Sequence, residues 1–422
     1  MSVRGFSKER FQGVLTDHFT PSKEIQTLSR LYGRQNALQR IERALGSQGR
    51  HIFLYGDRGV GKTSVARTAA LLHNSGGHAP IYVSCGAAGY ADALQAIGNA
   101  VLEIEKRFEP PVSGRSGGIN AFGFGATLNL GNAGTPGIAK PETLNQSLDI
   151  IRYVCSKRPG RLVIVVDEME RLTSKDDRNK FAELIKNLST IDADFRFIFC
   201  GIASDVDELL NSHESAGRIL EAIKLDKLRH DELWKIITSA GEAVGLQIDR
   251  EMLIRIGQIS DGFPHYVHLI GEELFWQSFD DPDPVTAVIR SHYVAAIKGA
   301  LLRTEAALRN GYQKATQKSA KNTVEYEEAL WAVADSTADR RQVQDIHASS
   351  YLRIMEGRGD RQSLKRDQFN HRLLALCKDS HGRILLRHGS GWFSFRENIM
   401  RGYVRLTAEE QGVELGNLAV IS

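Results

Sequence analysis

Residues that staple a chain or carry it through a membrane are scarce in this sequence. Its 422 residues include four cysteines, Cys85, Cys155, Cys200 and Cys377, spaced far apart with no CxxC pair. That spacing excludes a disulfide framework and a cysteine-ligated metal site. The first three lie in or beside apolar runs and read as small buried hydrophobes. No apolar run approaches the roughly 18 to 20 residues of a membrane span. The first residues, Met1 to Gly13, lack the apolar stretch of a secretory signal. These absences predict a soluble cytoplasmic protein with no membrane partner. Charge of one sign is also missing: 54 Lys and Arg face 51 Asp and Glu, a net +3. The chain as a whole is therefore no polycation. Hydrophobic content of 42% and charged content of 25% exclude a disordered chain. The length predicts two or three domains.

What is present is an alternation of periods. Residues 1–30 carry little pattern and read as an arm. From Leu31, helical spacing (Leu38, Ile41, Leu45) gives way to a short apolar run, His51 to Tyr55. Helices then alternate with apolar strands around 80–84, 162–166, 195–200 and 221–225. Strands apolar throughout and separated by helices predict a parallel sheet covered on both faces, an α/β domain over 31–228. Beyond it, 230–244, 250–259 and 264–279 read as three helices. After Asp281-Pro-Asp-Pro284, a long helical stretch from Val285 to about Gln317 completes a helical lid and linker over 229–318. The last region, 319–422, shows helices at 324–334 and 362–377. Two short strands around His388-Gly-Ser-Gly391 follow, the order of a winged helix. Inside the first domain, 109–140 is an insertion whose core, 113–137, holds eight glycines in 25 residues. Phe122, Phe124, Ala126, Leu128 and Leu130 alternate within it, as a small hairpin or a partner-contact element would.

Chemistry concentrates in two places. Gly56-Asp57-Arg58-Gly59-Val60-Gly61-Lys62-Thr63 matches G-x4-G-K-[ST], follows a predicted strand and opens a helix, the context of a phosphate-binding loop. Its glycines let backbone N–H groups, on to Ser64, face phosphate oxygens. Lys62 is then placed for the β- and γ-phosphates, and the Thr63 hydroxyl for Mg²⁺. The second place is Leu162-Val-Ile-Val-Val166-Asp167-Glu168. Asp167, ending a buried strand, suits Mg²⁺ through water. Glu168 suits the general base that takes a proton from attacking water.

Together GDRGVGKT and VVDE resemble the AAA+ ATPases, among them the origin-recognition and initiator-type ATPases and the helper ATPases of transposition. The resemblance covers about Leu31 to Phe279 and implies a P-loop sheet, a helical lid and a C-terminal winged helix. It implies ATP as the nucleotide and ATP hydrolysis as the reaction. Gly33-Arg34 is similar to the box these proteins place near adenine. Ser204, after Cys200, stands at sensor 1, where the initiators usually keep Asn. Arg218 stands where they keep the arginine finger that completes a neighbour's site, which implies an ATP-dependent homo-oligomer. Gly262-Phe-Pro264-His265 resembles sensor 2, with His265 in place of arginine, a weaker phosphate partner.

Between Arg340 and Arg405, fourteen Lys and Arg face six Asp and Glu. Lys365, Arg366 and Arg372 on the predicted helix, and Arg387 with Arg383 and Arg396 on the hairpin, are candidate contacts to double-stranded DNA. Three functions follow: a DNA-associated ATP switch, a signalling or antiviral-defence ATPase that assembles on a protein trigger and activates an effector, and a motor that remodels a client protein. The last has only Phe122 and Phe124 as pore-loop residues.

Overall fold

Each apolar run in the first half becomes a strand of one parallel sheet: β1 (His51–Tyr55), β2 (Ile81–Ser84), β5 (Leu162–Asp167), β6 (Phe195–Gly201) and β7 (Leu220–Lys224), in the order β2–β5–β6–β1–β7. The computed structural model describes residues 3, 5–21, 25, 27–85, 89–106, 128–130, 136–172, 174–202, 216–317, 320–359 and 361–416. β6 is buried along its whole length and pairs with β1 on one side and β5 on the other. Its Phe197 and Phe199 stack with ring centroids 5.2 Å apart, and Phe181 meets Phe199 edge-on. Helices Gln35–Gly46, Lys62–His73, Tyr90–Lys106, Leu144–Lys157 and Lys175–Asn187 alternate with the strands. The predicted α/β layer is therefore present. The last of these helices is capped by Ser174, whose hydroxyl accepts from the Asp177 N–H, with Asp176 and Asp177 in its first turn. Of the glycine-rich insertion, only the short antiparallel pair β3 (Leu128–Leu130) and β4 (Pro136–Ile138) lies within the described residues; Phe122 and Phe124 lie outside them.

The chain forms two compact units. One comprises Glu24–Gly56 and Gly61–Asp226 and holds the parallel sheet; the other comprises Met1–Lys23, Asp57–Val60 and Lys227–Ser422. In the second unit, helices His230–Val244, Arg250–Ser260 and Pro264–Phe279 fall where the sequence puts them. The single stretch expected over 285–317 is instead two helices, Arg290–Arg303 and Ala306–Thr316. Val285 and Ala287 are extended and bridge in parallel to Val3 and Gln247. Farther on, Thr304 leaves helical geometry while its hydroxyl donates to the Ala300 carbonyl at 2.9 Å. The expected arm also contains a helix, Lys8–His18, which buries Phe11 and Leu15 and stacks Phe11 on Phe279 at 4.5 Å. Two apolar anchors four residues apart are too few to show as a pattern.

At the C-terminal end, helices Ala320–Ala334 and Arg366–Leu376 precede a hairpin of β9 (Leu385–His388) and β10 (Trp392–Phe395). β8 (Arg341–Gln342) adds a third strand to it, and helix Ile399–Glu410 closes the unit. No cysteine is in a disulfide. Burial pushes the Cys85 and Cys155 thiols up to about 12 and Cys377 to about 11, as inert packing residues. Among the described residues no helix is long and apolar enough to cross a membrane.

Candidate functional site

The carboxyl ends of β1, β2 and β5 lie at one edge of the sheet, the place where open α/β sheets bind ligands. β1 runs into Gly56, and the chain re-enters a helix at Gly61 with φ +94°. An L side chain rarely adopts that backbone angle, so glycine is required there. Gly61 caps helix Lys62–His73 without a side chain, leaving the first-turn N–H groups directed at whatever lies before the helix. Lys62 is buried and its ammonium donates to the Gly56 carbonyl at 3.0 Å, so the lysine folds back over its own loop. The Ser64 hydroxyl accepts from the Ile25 N–H at 3.1 Å, tying the preceding segment to this helix.

β5 delivers the acidic pair. The Thr63 hydroxyl donates to Asp167 Oδ2 at 2.6 Å, although β6 separates β5 from β1 in the sheet. The other Asp167 oxygen accepts the Glu168 N–H at 2.8 Å. Glu168 has φ +59°, a left-handed conformation that turns the chain sharply off the strand. Its carboxylate is engaged on both oxygens: the Ser84 hydroxyl donates to Oε2 at 2.5 Å, and Arg171 pairs with Oε1 at 2.9 Å. Ser84 ends β2 in register with Asp167. Sequence reasoning missed Ser84 and Arg171, since neither belongs to a motif; the i, i+3 spacing of Glu168 and Arg171 was the only available signal.

The other expected residues are distributed as follows. Arg34 is buried and donates to the Asp226 carbonyl at 2.7 Å, so its guanidinium braces the segment after β7. Arg218 is exposed in the four-residue helix Ala216–Ile219 just before β7. Ser204 lies outside the described residues. In the second unit, His265 is the second residue of helix Pro264–Phe279. Burial pushes its imidazole below the ordinary value, against the opposing pull of Glu305, so it is neutral at pH 7. Its Nε2 is buried with no hydrogen-bond partner among the described residues. Asp57, Arg58, Gly59 and Val60 belong to this second unit as well.

The C-terminal cations divide. Lys365, Arg366 and Arg387 are exposed. Arg372 is not available in the same way: its Nε and Nη2 reach Glu325 Oε2 at 2.8 and 2.6 Å, and its guanidinium lies over the Tyr326 ring. Arg353 pairs with Asp335, Arg358 and Arg361 with Glu328, and Arg401 and Arg405 with Asp261. All these carboxylates precede Arg340, so a charge count over 340–405 overstates the basic surface.

No three His, Cys, Asp or Glu among the described residues group as metal ligands. A hydroxyl and a carboxylate 2.6 Å apart still fit a hard cation that takes its remaining oxygens from phosphate and water. The strand order, the glycine loop after β1 and the acidic pair at the end of β5 define a P-loop NTPase of the AAA+ fold. The chain belongs to the Novel STAND NTPase 1 family, whose profile matches residues 23–387. Its fold is similar to that of a Walker-type ATPase of Pyrococcus abyssi, at TM-score 0.53 and 15% identity over 91% of this chain and 99% of the other. The Orc1 protein of Aeropyrum pernix, solved in complex with DNA, aligns at TM-score 0.44 and 14% identity over 90% and 93%. Cdc6p from Pyrobaculum aerophilum aligns at 0.44 and 16% over 93% and 98%. No curated protein matches the chain in sequence.

Proposed function

We propose that the protein binds ATP with Mg²⁺, hydrolyses it, and uses the cycle as a switch for an oligomer that engages double-stranded DNA through a C-terminal winged helix. The observation that carries the hydrolytic reading is the Thr63–Asp167–Glu168 cluster beside the N-terminus of helix Lys62–His73. In this reading Lys62 leaves the Gly56 carbonyl for the β- and γ-phosphates, while the loop and first-turn N–H groups cradle the remaining oxygens. Thr63 and Asp167 hold Mg²⁺, which when bound offsets phosphate charge. Glu168 accepts the proton of the attacking water, which requires an oxygen now held by Ser84 or Arg171 to come free. Arg34 and His265 are assigned to the nucleotide, and Ser204 to the γ-phosphate, on the strength of the resemblance.

Exposed Lys365 and Arg366 at the start of a helix, and Arg387 on a hairpin strand, support DNA contact. The test is hydrolysis by the purified protein with and without duplex DNA at two salt concentrations, with Lys62→Ala as the blank. Stimulation by DNA is expected. Replacing Lys365 and Arg366 together should flatten the log–log salt slope of binding by about 0.9 per lost phosphate contact. Unstimulated hydrolysis with nucleotide binding intact would sink the DNA assignment. It would favour the second reading, an ATPase assembled by a protein trigger, which the internal pairing of Arg353, Arg361, Arg372, Arg401 and Arg405 supports.

Arg218, exposed and just ahead of β7, is assigned as a finger acting on a neighbouring subunit. Mixing inactive Arg218→Ala with inactive Lys62→Ala should recover part of the activity, because one of the two mixed interface orientations pairs an intact loop with an intact arginine. A mixture as inactive as its components would remove the assignment.

A further inference from the structure

The tip of the phosphate-binding loop, Asp57–Val60, belongs to the C-terminal unit, and there it is gripped. Asn398 Nδ2 donates to Asp57 Oδ2 at 2.9 Å, across 341 positions of sequence. Arg58 pairs with Glu305 at 3.0 Å and Glu397 at 3.5 Å. Gly59 sits so close to Ile399 that a Cβ built on it would come within 2.6 Å of Ile399 Cδ1. The two ion pairs are about half exposed and contribute little. The Asp57–Asn398 bond and the Ile399 contact are better founded, because they stand at the start of an anchored element. Ile399 opens helix Ile399–Glu410, and its carbonyl accepts the buried Tyr266 hydroxyl at 2.7 Å. Within its first two turns, Arg401 and Arg405 pair with Asp261, both guanidinium groups fully buried.

We propose that Asn398 and Ile399 are positioning residues for the phosphate-binding loop. They hold its tip in the wrapped form and so slow the release of bound nucleotide. Preorganising a binding loop raises affinity by lowering the ordering cost at binding. The inference rests on the nucleotide-binding reading and adds a residue set that no loop motif contains.

The test follows the release of fluorescently labelled ADP from the full-length protein on dilution into unlabelled ADP. Asn398→Ala and Asp57→Ala should each speed release by about three- to tenfold, the net worth of roughly one ordinary hydrogen bond. The double variant should release more slowly than the product of the two single effects predicts, since both remove the same contact. The exchanged pair Asp57→Asn with Asn398→Asp keeps an amide facing a carboxylate and should restore slow release, which a merely structural role for Asn398 does not predict. Ile399→Ala should speed release through lost packing, with tryptophan fluorescence confirming a folded protein. Wild-type release from Asn398→Ala, additive effects, or an exchanged pair as fast as the singles would overturn the inference while leaving nucleotide binding standing. A wild-type protein that retains no more nucleotide than Lys62→Ala would instead overturn the nucleotide reading, and this inference with it.

Discussion

Glu168→Gln is expected to leave nucleotide bound and to lower its hydrolysis by about a hundredfold or more, the usual loss when a general base is removed. The geometry makes this substitution clean. A glutamine carbonyl still accepts from the Ser84 hydroxyl now 2.5 Å away, and the turn at φ +59° sits in the backbone and not in the carboxylate. The Arg171 ion pair is lost, but that pair is exposed and contributes little. The proposed binding groups are untouched: Lys62 on Gly56, and Thr63 on Asp167, retain their partners. The measurement pairs a filter-binding or fluorescence titration of ATP with single-turnover hydrolysis. Undiminished hydrolysis would show that another group activates the water, and the assignment of Glu168 would fall. Lys62→Ala should give the contrasting result, with binding itself lost, because in the proposed site the removed ammonium meets the nucleotide before any chemistry.

Why the loop and the acidic pair were legible from the sequence, and Ser84 and Asn398 were not, is a matter of distance along the chain. A phosphate loop is contiguous: glycine positions, lysine and hydroxyl fall within eight residues, and the strand before them is a visible apolar run. β5 is equally local, five apolar residues followed by two acids. Ser84 reaches Glu168 only because β2 and β5 are neighbours in register, a pairing that no spacing between residues 84 and 168 reveals. The same holds for charge. The window 340–405 looked strongly basic because Asp261, Glu325, Glu328 and Asp335 lie upstream of it in sequence and against it in space. Helices His230–Val244 and Pro264–Phe279 were read to the residue because their apolar stripes are dense and their ends carry glycine, proline or aspartate. Lys8–His18, with Phe11 and Leu15 as its only buried residues, has no such stripe, and tertiary packing on Trp276 and Phe279 forms it.

Asp261→Asn should cost the C-terminal unit about 3–5 kcal/mol, the penalty for breaking a buried ion cluster by removing one partner. Asp261 ends helix Arg250–Ser260 at φ +48°, and its carboxylate meets Lys227 at 2.8 Å, Arg401 at 3.1 Å and Arg405 at 3.2 Å. Burial by itself would raise its pKa, but Arg405, Arg401 and Lys227 outweigh it and hold the carboxyl below its ordinary 3.8. Burial also drives Arg405 down to about 10, which leaves it charged at neutral pH and in need of that counter-charge. Asparagine tolerates the left-handed backbone, so the substitution removes charge and little else. All four tryptophans lie beyond Lys227, which makes intrinsic fluorescence in urea a report on this unit alone. A carboxylate with a depressed folded-state pKa stabilises above its unfolded value and ceases to do so as the pH falls through the folded one. The gap between wild type and Asp261→Asn should therefore be full at pH 7 and close only in acid, below the ordinary aspartate value. A gap under about 0.5 kcal/mol at pH 7, the scale of an inconsequential surface change, would mean that the two arginines find sufficient compensation in Thr337, Ala338, Ala334 and Ser336, whose carbonyls they already reach.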